Sequence, residues 1–292
     1  MRMNRGALLA GTLFVLPATL IFTVFVYVPF LSSVYYSFTE WDSIRPPKFI
    51  GWANYAYLIE DSKMVQAFRN TLAMAAFGIL VQNPLALLLA VLLNRSFRTR
   101  AFLRTAFYTP VIVSLVVTSV VWGNILQYDG AFNYVLTQLG LERIVQDWLG
   151  TIHTVFPTII LLTQWQALGY CAIIYLAGLQ SIPAELYEAS TIDGATGFRQ
   201  FRYITFPLLM PVVTVVIFLT IVGGLKLFEL PYVMTNGGPG TASYTITLAI
   251  YNSVFKYGTY GYSMAAGIVL MLFIMIVTFV QIQITRRREV EL

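Results

Sequence analysis

The segment EASTIDGATGFRQFRYITFPLL, Glu188–Leu209, decides how this chain is read. It holds Glu188 and Asp193, Arg199 and Arg202, Gly194 and Gly197. An apolar run near 154–180 precedes it, and it leads into another near 204–228. A helix rises about 1.5 Å per residue, so crossing a hydrocarbon core of about 30 Å takes roughly 20 apolar residues. Both runs are long enough. A short polar insert between two such runs is a loop joining two membrane spans.

Four more runs of this kind lie near 8–36, 70–94, 102–127 and 262–285. The sequence therefore predicts an all-α membrane protein with six transmembrane helices. Composition agrees: 58% of the 292 residues are hydrophobic, 11% are charged and the mean hydropathy is +0.74. A soluble domain carries about 25% charged residues. The first run follows a basic start, MRMNR, but stays apolar from Gly6 to about Tyr36. That is far longer than a signal-peptide core of about 7–15 residues, so it reads as an uncleaved span.

Orientation follows from lysine and arginine. Eleven of the 18 lie in one set of segments: Arg2 and Arg5, Arg95 to Arg104, Arg199 and Arg202, and Arg286 to Arg288. The other seven are spread over longer loops that also hold most of the acids. The positive-inside rule places both termini and the Glu188 segment in the cytoplasm. The loops near 37–69, 128–153 and 229–261 then face outward. The net charge of +5 is explained by this topology, and no nucleic-acid-binding motif is present. One cysteine, Cys171, and one histidine, His153, provide neither a disulfide nor a metal cluster.

The stretch SIPAELYEASTIDG, residues 181–194, reads as a short helix. Ser181 is its expected cap, Pro183 is tolerated in its first turn and Gly194 suits its end. Glu185 and Glu188 share a face. A second short helix is expected from Thr196, with Arg199 and Arg202 on one side. Physically the insert is either an interfacial linker with its arginines against lipid phosphates, or a knob that docks on a cytoplasmic partner.

Spacing adds a resemblance. Glu188-Ala189-Ser190, Gly194 and Ile204-x-Phe206-Pro207 match the coupling loop of ATP-binding-cassette importer permeases, written Glu-Ala-Ala, three residues, Gly, nine residues, Ile-x-Leu-Pro. The chain departs from it at Ser190 and Phe206. FIGWANYAYLIEDSKMVQAFRNTL (Phe49–Leu72), TNGGPGTASYTITLAIYNSVF (Thr235–Phe255) and YGYSMAAGIVL (Tyr260–Leu270) resemble further segments of carbohydrate-importer permeases of the maltose and glycerol-3-phosphate type. The likeness covers nearly the whole chain.

The resemblance implies a type I importer permease core, the MetI-like fold, in residues 70–292, with the coupling loop at 181–207. Residues 1–69 would hold the first span and first outer loop. It implies ATPase docking through Glu185, Glu188, Ala189, Ser190, Asp193, Gly194 and Arg199. The expected partners are a second homologous permease, a cytoplasmic ATPase dimer, an extracytoplasmic solute-binding protein, membrane lipid and a sugar, with no nucleic acid. The host membrane would be a bacterial or archaeal plasma membrane. The chain has no G-x-x-x-x-G-K-[ST] phosphate loop, so it is not expected to be an enzyme or to bind a cofactor; ATP and Mg would sit on the partner ATPases.

Polar residues inside spans mark a candidate solute path. These are Gln82 in QNP, Trp165, Gln166 and Tyr170 in QWQALGY, and Gly224, Lys226, Phe228 and Glu229 in GGLKLFELPY. Aromatic rings would stack on a sugar face and the amides would bond its hydroxyls. Each also has a bland role, in interhelical hydrogen bonding, packing or the interfacial belt. Lys226 and Glu229, three apart, are expected to pair. A permease for a non-sugar solute remains an alternative. An ion-coupled transporter is a weaker one, because no acid lies at a span centre and no repeat is evident. A membrane enzyme would need a convergent polar set that is absent here.

Overall fold

The computed structural model describes residues 5–289; Arg2, counted in the orientation argument, lies outside them. In chain order the main helices are α1 (Thr12–Tyr36), α2 (Ser62–Asn94), α3 (Arg100–Ile112), α4 (Leu115–Ile125), α5 (Val155–Gln180), α6 (Ala184–Ile192), α7 (Phe198–Thr235) and α8 (Tyr260–Arg286). Five of them, α1, α2, α5, α7 and α8, are each long and apolar enough to cross a membrane.

The expected continuous third span, 102–127, is corrected. It is broken into α3 and α4, which are bent by 97°. Pro110 removes an amide donor near the end of α3. Ser114 then adopts an extended conformation (φ −63°, ψ 145°), and its Oγ accepts the Val117 N–H at 3.3 Å, capping a new helix. The second span also begins earlier than expected, at Ser62 rather than near residue 70.

Three long helices share one local device. A five-residue π turn stands at Thr23–Tyr27, at Gly78–Gln82 and at Phe201–Thr205. Each is followed two residues later by a proline, Pro29, Pro84 and Pro207. A proline ring clashes with the carbonyl four residues back and offers it no hydrogen bond. The wider π turn gives that carbonyl room, so the helix continues instead of breaking.

The chain divides into two compact units. One ends at Asp61 and takes in Ile250–Leu270; the other holds Ser62–Ala249 and the chain from Met271. In the first unit, Thr39–Glu40 and Lys48–Phe49 form a two-residue antiparallel ladder. Asn54 Nδ2 donates to the Ser37 and Thr39 carbonyls at 2.8 and 2.9 Å and fixes this turn. Trp41 stacks on Tyr36 with ring centres 4.1 Å apart. Asp42 accepts the backbone N–H of Arg45 and then of Ile44, which holds its carboxyl below the usual range.

The second unit has a three-helix core from α2, α5 and α7. Ala86, Ala90, Leu93, Cys171, Ala172, Tyr175, Leu179, Leu209, Val213 and Val216 are buried there. Lipid is as apolar as leucine, so burial alone does not hold spans together; close packing of small residues does. Ala86, Ala90 and Ala172 supply it here. A second cluster, with Met74, Leu126, Val155, Ile159, Leu227 and Leu230, closes the other end of the same helices. Arg104 Nη2 donates to the Leu93 carbonyl at 2.9 Å and so caps the C-terminal end of α2 with a positive charge.

Candidate functional site

The 181–207 loop is ordered by its own hydrogen bonds. Ser181 does not cap α6. It closes α5 instead, its hydroxyl donating to the Gly178 carbonyl at 2.8 Å. Pro183 stands at the N-cap and α6 begins at Ala184. Gly194 follows the helix at φ +79°, a conformation that side chains disfavour. The Ala195 N–H then bonds the Ser190 carbonyl at 2.8 Å. Gln200 Nε2 ties the start of α7 to α6 through Ser190 Oγ and Thr191 Oγ1, both at 3.0 Å. Tyr187 and Thr205 join hydroxyls at 2.9 Å.

The second short helix expected from Thr196 is corrected. It is the first turn of α7, continuous through the π turn at Phe201–Thr205 into the long span. Glu185, Glu188, Ala189, Asp193, Gly194 and Arg199 are exposed, and Ser190 is buried beneath them. Among the described residues, neither the three acids nor Arg199 has an ion pair. Ile192 and Phe198 are 88% and 78% exposed beside them. The loop therefore shows an acidic face with an apolar edge, on a scaffold rigidly joined to α5 and α7.

The other candidates lie on α2, α5 and the end of α7, and α5 turns two distinct faces toward its neighbours. Gln164, Cys171, Tyr175 and Gly178 lie on the face toward α2 and α7. Gln82 Nε2 donates to Cys171 Sγ at 2.9 Å. Asn83 is the hub that sequence reasoning passed over: its amide nitrogen donates to Thr220 Oγ1 at 2.8 Å and to the Gly78 carbonyl at 3.0 Å, and its Oδ1 accepts from Tyr175 OH at 2.7 Å. The QNP tripeptide was its only signal. Gln164 Oε1 is buried in this cluster with no hydrogen-bond partner.

A second face carries Gln166 and Gly169, three apart. Gln166 is buried and Nε2 donates to both the Pro110 and Val113 carbonyls, at 2.9 and 2.6 Å. These are carbonyls that the α3–α4 break leaves without helical donors. Gly169 faces the Phe107 carbonyl oxygen, and a Cβ there would overlap it. In this structure Gln166 clamps the broken span. Gln166→Leu is expected to cost about 1–3 kcal/mol of stability, as two buried carbonyls lose their donor. Denaturation of the purified protein in detergent checks this, and wild-type stability would remove the clamp.

Trp165 and Tyr170, five apart, flank this second face on opposite sides and are each 44% exposed. Trp165 meets Trp122 edge to face, with centroids 5.6 Å apart. In α7 the helix stops at Leu225 and restarts at Glu229. That break separates Lys226 from Glu229, and the expected ion pair does not form. Lys226 is exposed, while Phe228 stacks on Tyr232 at 5.0 Å. Gly224 packs on α2, where a Cβ would sit 3.1 Å from Ala75 Cα. The segment beyond α7 is pinned to α2, since Asn70 Nδ2 donates to the Ala242 and Tyr244 carbonyls at 2.8 and 2.9 Å.

Comparison with known proteins adds to this geometry. The probable starch degradation products transport system permease protein AmyD of Thermoanaerobacterium thermosulfurigenes is 36% identical over 282 residues, covering 96% of this chain and 95% of that protein. The trehalose/maltose transport system permease protein MalF of Thermococcus litoralis is 31% identical, covering 96% and 94%. A chain of a bacterial ABC transporter involved in import of the acidic polysaccharide alginate superposes with a TM-score of 0.83 at 26% identity, covering 97% of this chain and 96% of that one. A second structure of the alginate transporter, in complex with alginate pentasaccharide-bound periplasmic protein, gives 0.82 at 25% identity, covering 97% and 95%. Residues 82–290 match the family described as binding-protein-dependent transport system inner membrane component. With that match running from Gln82 in the Asn83 cluster through the 181–207 loop to the end of α8, the chain belongs to the binding-protein-dependent transport system inner membrane components.

Proposed function

We propose that this chain is a permease subunit of a binding-protein-dependent ABC importer for a sugar or sugar-like solute. The observation that carries the proposal is the exposed acidic face of α6, without an ion pair among the described residues and fixed to the long α7 helix. Such a face suits a basic groove on a cytoplasmic ATPase. Relatives named for starch products and for trehalose and maltose support the sugar class. In this proposal both termini are cytoplasmic, residues 70–292 form the permease core, and α3 with α4 makes the sixth span. A second permease, an ATPase dimer holding ATP and Mg, and a solute-binding protein complete the importer. This chain itself performs no hydrolysis and binds no cofactor.

The test is reconstitution of the complete importer in liposomes with its binding protein. ATP-dependent accumulation of at least one labelled oligosaccharide is the expected result. Uptake of an amino acid with none of any saccharide would sink the sugar class. Lys226 is placed on the solute path because it is an exposed cation at a helix break. Lys226→Ala is expected to raise KM for uptake by roughly 3- to 10-fold, about the worth of one charge-assisted hydrogen bond. Wild-type uptake kinetics would return Lys226 to the membrane interface.

A further inference from the structure

A cleft of about 530 Å³ opens in the second unit, lined in part by Ser119, Asn124, Gln127, Asp147, Gly150 and Thr235. It lies by the turn that precedes α5, whereas the 181–207 loop follows the other end of α5. Twenty-six residues of helix, about 39 Å, separate the two. Its size is within the range of about 300–1,000 Å³ usual for small-molecule sites.

The charge of the lining is one-sided. Ser119 and Thr235 already donate their hydroxyl protons to backbone carbonyls, at 2.6 and 3.0 Å. The Asn124 amide nitrogen donates one N–H to the Val120 carbonyl at 2.8 Å, which leaves its oxygen as an acceptor and its second N–H as a donor. Asp147 Oδ1 takes the Gly150 and Leu149 N–H groups at 2.7 and 3.3 Å. Its second oxygen lies over Gly150, where a Cβ would overlap it. Val120, Leu149, Val233, Met234 and Pro239 supply apolar surface. The lining contains one carboxylate and no lysine or arginine. Acceptors, together with the amide donors of Asn124 and Gln127, beside an apolar surface suit a polyhydroxyl ring, whose hydroxyls both donate and accept and whose C–H face rests on carbon. A uronic acid or a sugar phosphate would meet Asp147 with like charge and no compensating cation.

We propose that this cleft is a subsite for a neutral oligosaccharide and that Asp147 makes it reject acidic sugars. The proposal rests on the sugar-import function above and names the substrate class. It sets this chain apart from the structural relative described as importing an acidic polysaccharide.

The test uses the purified permease–ATPase complex without binding protein, so that the binding protein imposes no selectivity. Dissociation constants are measured by saturation-transfer NMR for maltotriose, raffinose and arabinotriose, and for trigalacturonate. The wild type is expected to bind a neutral trisaccharide more tightly than trigalacturonate. Asp147→Asn keeps the turn, because its amide oxygen accepts the same two N–H groups. It should narrow the acidic-to-neutral ratio about fivefold, the effect of one partly screened charge. Gly150→Ala, which displaces the carboxylate, should narrow it as well. A wild type that binds trigalacturonate equally well, or binds no saccharide, overturns the subsite, as does an unchanged ratio in both variants. In each of these cases saccharide uptake in the liposome assay would leave the importer reading standing; absence of uptake would end both.

Discussion

Gly194→Pro is expected to abolish capture of the ATPase and to bring ATP-driven uptake down to background. Gly194 sits at φ +79°, whereas proline is locked near φ of about −65°. The chain would have to leave α6 in another direction. The Ala195–Ser190 bond and the Gln200 contacts with Ser190 and Thr191 would be lost with it. The acidic face of α6 would then no longer be held at a fixed angle to α7. Glu188→Lys attacks the same contact by charge, leaving the backbone alone. Turning an attraction into a repulsion at a docking surface costs about 2–5 kcal/mol, so capture should weaken by at least tenfold. Co-purification of the tagged permease with its ATPase measures both, with membrane insertion as the control. Equal capture of wild type and both variants would reduce the loop to a linker.

Gly169→Val should be the most damaging substitution within the spans. The group it would strike is the Phe107 carbonyl oxygen, which is backbone and cannot rotate aside as a side chain would. Either α5 backs away from α3 or the α3 helix deforms. Overpacking of this kind costs about 1–3 kcal/mol, occasionally more. The same displacement stretches the Gln166 bonds to Pro110 and Val113, so two losses combine. Thermal unfolding in detergent should fall by several degrees, and uptake should fall with it. An unchanged melting temperature would show that α5 and α3 are not in close contact at this point.

Length and hydropathy made most of the helical layout legible, because a bilayer tolerates little else. Spacing alone exposed the 181–207 loop and the special conformation at Gly194. The break in the third span was not legible. Proline does not decide it, since Pro17 and Pro211 lie inside unbroken helices. Ser114 and a glutamine more than fifty residues further on complete the break, and that is a tertiary event. The roles of Gln82 and Gln166 were hidden for a related reason. In α5 nearly every position is apolar, so no stripe shows which face meets α2, which meets α3 and which is left open. The Lys226–Glu229 pair looked plausible only while the helix was taken to continue between them. The early start of α2 at Ser62 was missed because polar residues before Asn70 read as loop, although a helix need not end where the membrane does.

The close approaches along α7 have a mechanical consequence. At Gly178 the α5 backbone comes so near that a Cβ would lie 2.7 Å from Val212 Cγ2. From Phe198 to Val212 is 14 residues and from Val212 to Leu225 is 13, about 20 Å on either side. Gly224 makes a second close approach, to Ala75 of α2, near the Leu225 end. A rod held at its middle and near one end does not pivot. A sideways push on the Phe198 end, where the loop is attached, would bend the arm between Phe198 and Val212, which contains the π turn at Phe201–Thr205.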